Sequence, residues 1–324
     1  MSASVSFILP YYRIEGMLLK RCLDSLLSLP SDIDYEVILV DDGTPETSVP
    51  AWLSEWQVPS CVRYFYQENK GLGGARNTGL SLATKEYVQF VDPDDYLFAE
   101  RYAAVWSLLQ EKQPDLLTFD FRKVYDCTRL PDAEGDPSVW FEGSGTAFML
   151  QHNLRAGAWG YLFRRSLCRD LTFPEHTYHE DEAFTPQLYL RARVVVITDI
   201  PLYAYYQRQD SIMNSPKREK LHKRFTDLLG IQLGLSAQAN QLPAEQQQAL
   251  RRRIDQNYMS MLYKLFTDSP DRAFLQLYVR RMKKQGGYPL PLHGYTLKYI
   301  LFACVTALPG VPALLWRLLA GRRH

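Results

Sequence analysis

Tyr35-Glu36-Val37-Ile38-Leu39-Val40-Asp41-Asp42-Gly43 is an apolar run that stops at two carboxylates and a glycine. A run of about 4–8 apolar residues closed by turn residues reads as a buried strand. The same pattern recurs at Val5–Leu9, closed by Pro10, and at Val62–Tyr66, ending in Gln67-Glu68-Asn69. It recurs again at Tyr87–Val91, ending in Asp92-Pro93-Asp94-Asp95. Helical segments separate the runs. Met17–Leu29 carries Leu18, Cys22 and Leu26 at helical spacing, and Gly73–Ala83 opens with two glycines. Strands alternating with helices predict an α/β fold with a mostly parallel sheet covered on both faces. Polar clusters follow three consecutive strand ends, and that edge of an open α/β sheet is where ligands bind.

Further along, Leu116–Phe121 and Arg193–Thr198 read as strands, and residues 126–145 read as a surface excursion rich in Pro, Gly and Asp. From Lys217 to Gly286 the pattern becomes helical, broken at Pro243 and Pro270, and Tyr295–Leu319 is mostly apolar. The 324 residues are 46% hydrophobic and 23% charged, which excludes a disordered, collagenous or disulfide-scaffold chain. The net charge of +1 hides a division. Residues 1–216 hold 19 Lys and Arg against 30 Asp and Glu, a net −11. Residues 217–324 hold 18 against 6, a net +12. A basic end of this kind suits an anionic surface, either nucleic acid or a lipid headgroup layer. The acidic front and the lack of a nucleic-acid motif argue against nucleic acid. The five cysteines, Cys22, Cys61, Cys127, Cys168 and Cys304, are scattered and form no Cys-x-x-Cys. That usage predicts a reducing compartment. The stretch from Met1 to Pro10 is too short for a signal-peptide core, so a cytoplasmic location is expected.

Asp92-Pro93-Asp94-Asp95 places three carboxylates at a strand end. Crowded like charges need a cation or strong hydrogen bonds. Oxygen donors with substrate phosphates suit Mg²⁺ or Mn²⁺, and the alternative is a helix cap before Tyr96–Leu109. Lys70-Gly71-Leu72-Gly73-Gly74-Ala75-Arg76-Asn77 is a glycine-rich turn entering a helix, which suits a phosphate. His179-Glu180-Asp181-Glu182 could supply a general base, a metal ligand or only an acidic helix start. Tyr206-Gln207-Arg208-Gln209-Asp210-Ser211 is a loop whose Arg and Ser could hold a phosphate.

Taken in order, these pieces resemble the family 2 inverting glycosyltransferases, nucleotide-sugar enzymes of the GT-A fold. The resemblance is carried by Ser6-Phe7-Ile8-Leu9-Pro10-Tyr11-Tyr12, Glu36–Gly43, Asn69–Gly79 and Phe90–Asp95. It continues through Trp159, Leu162-Phe163-Arg164-Arg165, His179-Glu180-Asp181 and Tyr206 to Asn214, and so covers about residues 4–215. It implies that Pro10 and Tyr12 frame the nucleotide base and that Asp41 contacts the uracil or ribose. Arg76 is then expected near the base or diphosphate, with Asp92 and Asp94 as the Asp-x-Asp that holds nucleotide and Mg²⁺ or Mn²⁺. Asp181 falls at the catalytic base, with Glu180 as the alternative. Arg208 and Ser211 fall where a late loop closes over the diphosphate, and Trp159 falls in the acceptor segment. Two positions depart from the family pattern. Arg13 stands where Asn is frequent, and Gly160-Tyr161 stand where Asn-Lys is frequent.

The implied reaction moves a sugar, expected to be a hexose, from a UDP-sugar to a hydroxyl of a glycan or lipid-linked saccharide in surface-polysaccharide synthesis. A cation stabilises the leaving diphosphate, a carboxylate takes the acceptor proton, and direct displacement inverts the anomeric centre. No Ser-His-Asp or Cys-His arrangement argues for a covalent intermediate. The competing enzyme class is a sugar-phosphate nucleotidyltransferase, against which the His-Glu-Asp and Tyr206–Ser211 elements argue. Two domains are expected: a catalytic one over residues 1–216 and a basic helical region over 217–324. The first divides into a nucleotide half over about 1–100 and an acceptor half over about 101–216. Arg251-Arg252-Arg253 and Arg280-Arg281-Met282-Lys283-Lys284 read as basic helix faces. They precede an apolar tail, about 295–319, interrupted by Pro309-Gly310-Val311-Pro312 and closed by Arg322-Arg323. Two short apolar pieces with flanking cations predict peripheral attachment to the inner membrane face. A helical pair buried in a homodimer is the alternative.

Overall fold

The computed structural model describes residues 3–48, 50, 53, 57–125, 138–207, 218–293 and 295–320. The chain forms two compact units. The first comprises Met1–Gly145 with Arg155–Ser211, and the second comprises Thr146–Leu154 with Ile212–His324.

The first unit is built on a nine-stranded sheet. Its strands are β1 (Ser4–Tyr11), β2 (Asp34–Asp42), β3 (Val62–Gln67), β4 (Tyr87–Phe90), β5 (Tyr96–Leu97), β6 (Leu116–Val124), β7 (Val139–Gly143), β8 (Tyr161–Arg164) and β9 (Val195–Tyr206). The helices are α1 (Gly16–Leu27), α2 (Gly71–Leu82), α3 (Ala99–Lys112), α4 (Gly145–Gln151), most of which belongs to the second unit, and α5 (Glu180–Arg191). The strand order is β3-β2-β1-β4-β8-β6-β9-β5, with β7 also paired to β9.

The four strands from β3 to β4 are parallel, as the alternation predicts. The other half of the sheet is mixed. β8 runs antiparallel to both β4 and β6, while β6 and β9 are parallel. β5 and β7 run antiparallel to β9. Strands β5 and β7 are short and were not anticipated, because neither Tyr96-Leu97 nor Val139–Gly143 stands out as an apolar run.

β1 and β2 are almost wholly buried, so they read as continuous apolar runs and not as alternating ones. α1 covers one face with Leu19, Cys22, Leu23 and Leu26. Each such leucine contributes about 1.5–3 kcal/mol by leaving water. The chain order reverses where β1 lies between β2 and β4, which opens a crevice at their carboxyl ends.

The second unit is helical: α6 (Arg218–Ala239), α7 (Ala244–Asp268), α8 (Arg272–Lys284), α9 (Leu297–Ala307) and α10 (Val311–Ala320). Pro243 and Ser269-Pro270 do separate the first three. The arginine run behaves differently from its expected role as a solvated face. Arg252 and Arg253 are 4% and 8% exposed. Arg252 donates to the carbonyls of Met149 and His152, and Arg253 donates to Leu154 O at 2.6 Å. These carbonyls lie at and beyond the C-terminal end of α4, where a helix leaves acceptors unsatisfied and the dipole favours cations. Two of the three arginines therefore close a helix end inside this unit.

Candidate active site

The ends of β1 and β2 form one wall. Pro10 is buried, while Tyr12 is 41% exposed with the Arg13 guanidinium 5.1 Å above its ring. Asp41, in register with Tyr11, is fully buried. Its Oδ1 accepts from the Thr44 amide at 2.8 Å and its Oδ2 from the Tyr64 hydroxyl at 2.7 Å. Desolvation, reinforced by that bond to Asp41, raises the Tyr64 hydroxyl well above its ordinary range and keeps it a donor. Asp42 has a different task. Its Oδ1 accepts from Gln67 Nε2 at 2.6 Å and from the Lys70 amide at 2.8 Å, which fixes the turn into α2. Gly43 sits at φ 79°, and a Cβ there would meet the Asn69 amide at 2.8 Å.

The three acids after β4 have separate roles. Asp95 is 1% exposed and accepts from Tyr203 Oη at 2.8 Å and from the Tyr206 amide at 2.7 Å. Burial, with Asp92 and Asp94 nearby, pushes its carboxyl well above the usual range. The same Tyr203 oxygen accepts from the Asp92 amide at 3.0 Å, so one hydroxyl holds both ends of the acidic turn. Arg21 donates to the Asp94 carbonyl at 2.8 Å and lies over the rings of Tyr96 and Tyr206. The alternative use of these acids as a helix cap is not realised. α3 starts at Ala99, and its cap residue, Phe98, makes no side-chain bond.

Among the described residues there is no group of three His, Cys, Asp or Glu side chains that could hold a metal. Asp95 is committed to Tyr203 and Tyr206, while Asp92 and Asp94 are both half-buried. Two hard carboxylates fit a divalent cation of the Mg²⁺ type, which takes its other ligands from phosphates and water.

Arg76, on α2, is 2% exposed and joins the acidic turn to the start of α5. Its Nη2 donates to Asp92 Oδ1 at 3.0 Å and its Nη1 to Glu180 Oε1 at 2.5 Å. The guanidinium lies between Phe90 and Phe173, 5.7 and 5.5 Å from the ring centres. Burial opposes its charge, but Asp92, Glu180 and Asp181 together raise its pKa above even the usual arginine value.

α5 opens at His179, φ 62°, followed by three acids in the first turn. Glu180 is 6% exposed and paired, whereas Asp181 is only half-buried. Desolvation first, then the charges of Glu180 and Glu182, push the Asp181 carboxyl up to about 7. Asp181 is thus poised to exchange a proton near neutrality.

The glycine-rich entry to α2 packs closely against residues 173–176. A Cβ at Gly73 would lie 2.4 Å from the Pro174 carbonyl oxygen. The His176 amide donates to Lys70 O at 3.1 Å, and Asn77 exchanges two hydrogen bonds with the Phe173 backbone. The glycines let residues 173–176 lie against the first turn of α2.

Trp159 sits in a 3₁₀ turn, Ala158–Gly160, before β8. Its ring stacks on Tyr203 at 4.5 Å and on Tyr205 at 5.5 Å, and meets Phe121 edge-on at 5.1 Å. The Arg155 guanidinium lies over the Phe121 ring at 4.5 Å. Arg208 and Ser211 lie outside the described residues. Sequence reasoning did not single out Tyr203, Arg21, Tyr64 or Phe173. The aromatic alternation Tyr203-Ala204-Tyr205 on a strand was the available signal for Tyr203. The other three carry no local signature.

Three comparisons bear on this arrangement. Residues 6–171 match the family described as Glycosyl transferase family 2. The chain is 30% identical over 233 residues to the glycosyltransferase EpsJ of Bacillus subtilis (strain 168), covering 68% of this chain and 67% of that protein. It is 31% identical to the poly(ribitol-phosphate) beta-glucosyltransferase of Bacillus spizizenii, covering 64% of this chain and 32% of that one. Among solved structures, S. aureus TarS 1-349 in complex with UDP-GlcNAc is similar with a TM-score of 0.69 at 18% identity, covering 98% of this chain and 90% of that chain. That likeness shows the GT-A fold with its helical C-terminal region.

Proposed function

The chain belongs to glycosyltransferase family 2, and on that premise we propose that it moves a hexose from a UDP-sugar, with inversion, to a hydroxyl of a glycan or lipid-linked saccharide. Surface-polysaccharide synthesis is the setting, at the cytoplasmic face of the cell membrane. The observation that carries the reading is the Arg76 bridge, which holds the acidic end of β4 and the acidic start of α5 at one point. Donor-side and proton-accepting carboxylates are thereby collected at the carboxyl edge of the sheet.

Pro10, Tyr12 and Asp41 form the base-side wall, with Asp41 preset by Thr44 and Tyr64. Asp92 and Asp94 would hold Mg²⁺ or Mn²⁺ with the diphosphate, and the cation would offset the charge growing on the leaving group. Arg76 adds a buried positive charge beside Asp92. Asp181 accepts the proton of the acceptor hydroxyl as its oxygen attacks the anomeric carbon opposite the leaving diphosphate. One bond forms as the other breaks, so the centre inverts and no enzyme-bound sugar is made. The aromatic group around Trp159 supplies a flat apolar surface for an acceptor ring. Arg208 and Ser211 complete the diphosphate side in this reading.

The relative named for poly(ribitol-phosphate) glucosylation and the neighbour bound to UDP-GlcNAc support a UDP-sugar donor and a polymeric surface acceptor here. The test is UDP release from a panel of UDP-hexoses and UDP-N-acetylhexosamines, with and without Mn²⁺. At least one sugar should give release that depends on the cation and is lost in Asp181→Asn. A protein that hydrolyses none of them and gains no thermal stability from UDP would overturn the reading.

A further inference from the structure

On most surface helices the apolar face is the buried one. α9 reverses this. Its buried stripe, Tyr299, Ala303 and Thr306, is opposed by an outward stripe of Leu297, Leu301 and Val305 that continues to Leu308, each between 45% and 73% exposed. α10 adds Leu314 and Leu318, at helical spacing and 54% and 62% exposed. Exposed apolar area of this extent marks an interaction surface.

The two helices meet at 109° across Leu308–Gly310, where Gly310 takes φ 82°. Pro312 lies in the first turn of α10 and does not break it, contrary to the sequence expectation, so the pieces are 11 and 10 residues long. At 1.5 Å per residue they reach about 16 and 15 Å, roughly half of a bilayer core of about 30 Å. No single helix among the described residues is long and apolar enough to cross a membrane.

We propose that the outward faces of α9 and α10 lie in the headgroup boundary of an anionic bilayer, with the bent pair inserted as a shallow wedge. The proposal deepens the membrane-face reading above and rests on it. Charge selects the occupant. Lys298 and Arg317 are the charged residues of the two helices, both are exposed, and neither helix carries an acid. Arg280, Arg281, Lys283 and Lys284 are exposed on the last turn and a half of α8 in the same unit. A second copy laid across this face would set cation against like cation, since a two-fold interface pairs a patch with itself. An anionic headgroup layer offers apolar depth and the opposite charge together, the two signals that reversible anchoring needs.

The full chain is sedimented with vesicles of phosphatidylcholine, with and without phosphatidylglycerol. Wild type should pellet with the anionic vesicles, less so in high salt, and remain in solution with the neutral ones. Leu301→Asp with Val305→Asp should weaken binding by about tenfold or more, and so should Lys298→Glu with Arg317→Glu, which leaves the apolar stripe intact. Unfolding midpoints on both variants confirm that the fold survives. Wild type that ignores anionic vesicles, or variants that bind as wild type does, would overturn the proposal. So would a wild-type dimer in sedimentation velocity that the aspartate pair dissociates, because the occupant would then be a second copy. UDP release measured without vesicles should be equal in all three proteins. If wild type binds vesicles yet releases no UDP from any donor, the transferase reading fails and the membrane surface stands.

Discussion

Arg76 and Glu180 are separated by 104 positions in the chain and 2.5 Å in space. A buried guanidinium shared between Glu180 and Asp92 fixes the distance between a strand end and a helix start that no backbone hydrogen bond connects directly. Removing one member of such a set leaves charge buried without a partner, which costs more than the pair contributes over an apolar replacement.

Arg76→Met should therefore destabilise the first unit by about 3–5 kcal/mol, the range for breaking a buried pair from one side. Arg76→Lys should fall between this variant and wild type, because one ammonium does not span both carboxylates as a planar fork does. Urea unfolding followed by tryptophan fluorescence measures both. A loss below about 1 kcal/mol in the methionine variant, the value of an exposed pair, would show that the bridge is solvated.

Asp181 gives a prediction with a defined sign. Its carboxyl is raised from 3.8 to about 7 in the folded chain. The native state thus holds a proton that the unfolded chain has released between these values, and stability falls as pH rises from about 4 through 7. Asp181→Asn removes this dependence, so its stability relative to wild type should improve as pH rises from about 4 to 7. Transfer should behave oppositely. Activity should rise through about pH 7 as the base ionises, and the asparagine variant should lose about 10²–10⁴-fold in turnover with UDP binding retained. Glu180→Gln with full loss beside an active Asp181→Asn would transfer the role to Glu180.

Asp94 and Asp95 are adjacent and should respond differently. Asp95→Ala strands the Tyr203 hydroxyl and the Tyr206 amide, a cost of about 1–3 kcal/mol for buried donors without acceptors. Asp94→Asn should leave the unfolding midpoint nearly unchanged while abolishing the extra thermal stability that UDP confers with Mn²⁺. Stabilisation by UDP that persists unaltered in EDTA would remove the cation from the site.

How far the sequence reached follows from the range of the interactions involved. The parallel half of the sheet was legible because β1, β2 and β4 are buried on both faces and must read as apolar runs. β5 has two residues and β7 five, too few for any periodicity, and both exist because β9 offers them an edge. Local crowding of acids drew attention to the Asp92–Asp95 and Glu180–Glu182 clusters, while the separate roles of Asp92, Asp94 and Asp181 came from the family resemblance. Which acid pairs with which cation was not legible, since Arg76 meets partners 16 and 104 residues away. Arg252 and Arg253 misled for the same reason, since a triple arginine looks solvated until the carbonyls about 100 residues upstream are in place.

Gly73 decides between two uses of the glycine-rich turn. If its backbone cradled the diphosphate, Gly73→Ala would weaken UDP binding in a chain of near-normal stability. The structure places the Pro174 carbonyl oxygen 2.4 Å from where that methyl would sit, well inside contact distance and against backbone that no rotamer change can move. Residues 173–176 must then retreat from α2, loosening the Asn77 bonds to Phe173 and the stack of Phe173 on Phe184 at 3.9 Å. Overpacking of this kind costs about 1–3 kcal/mol. Phe173 also flanks Arg76, so the shift reaches the bridge to Glu180. Gly73→Ala should thus lower the unfolding midpoint clearly, while UDP affinity of the folded protein changes by less than about threefold, under 1 kcal/mol. A loss of tenfold or more in UDP affinity with the midpoint unchanged would assign the phosphate role to this turn.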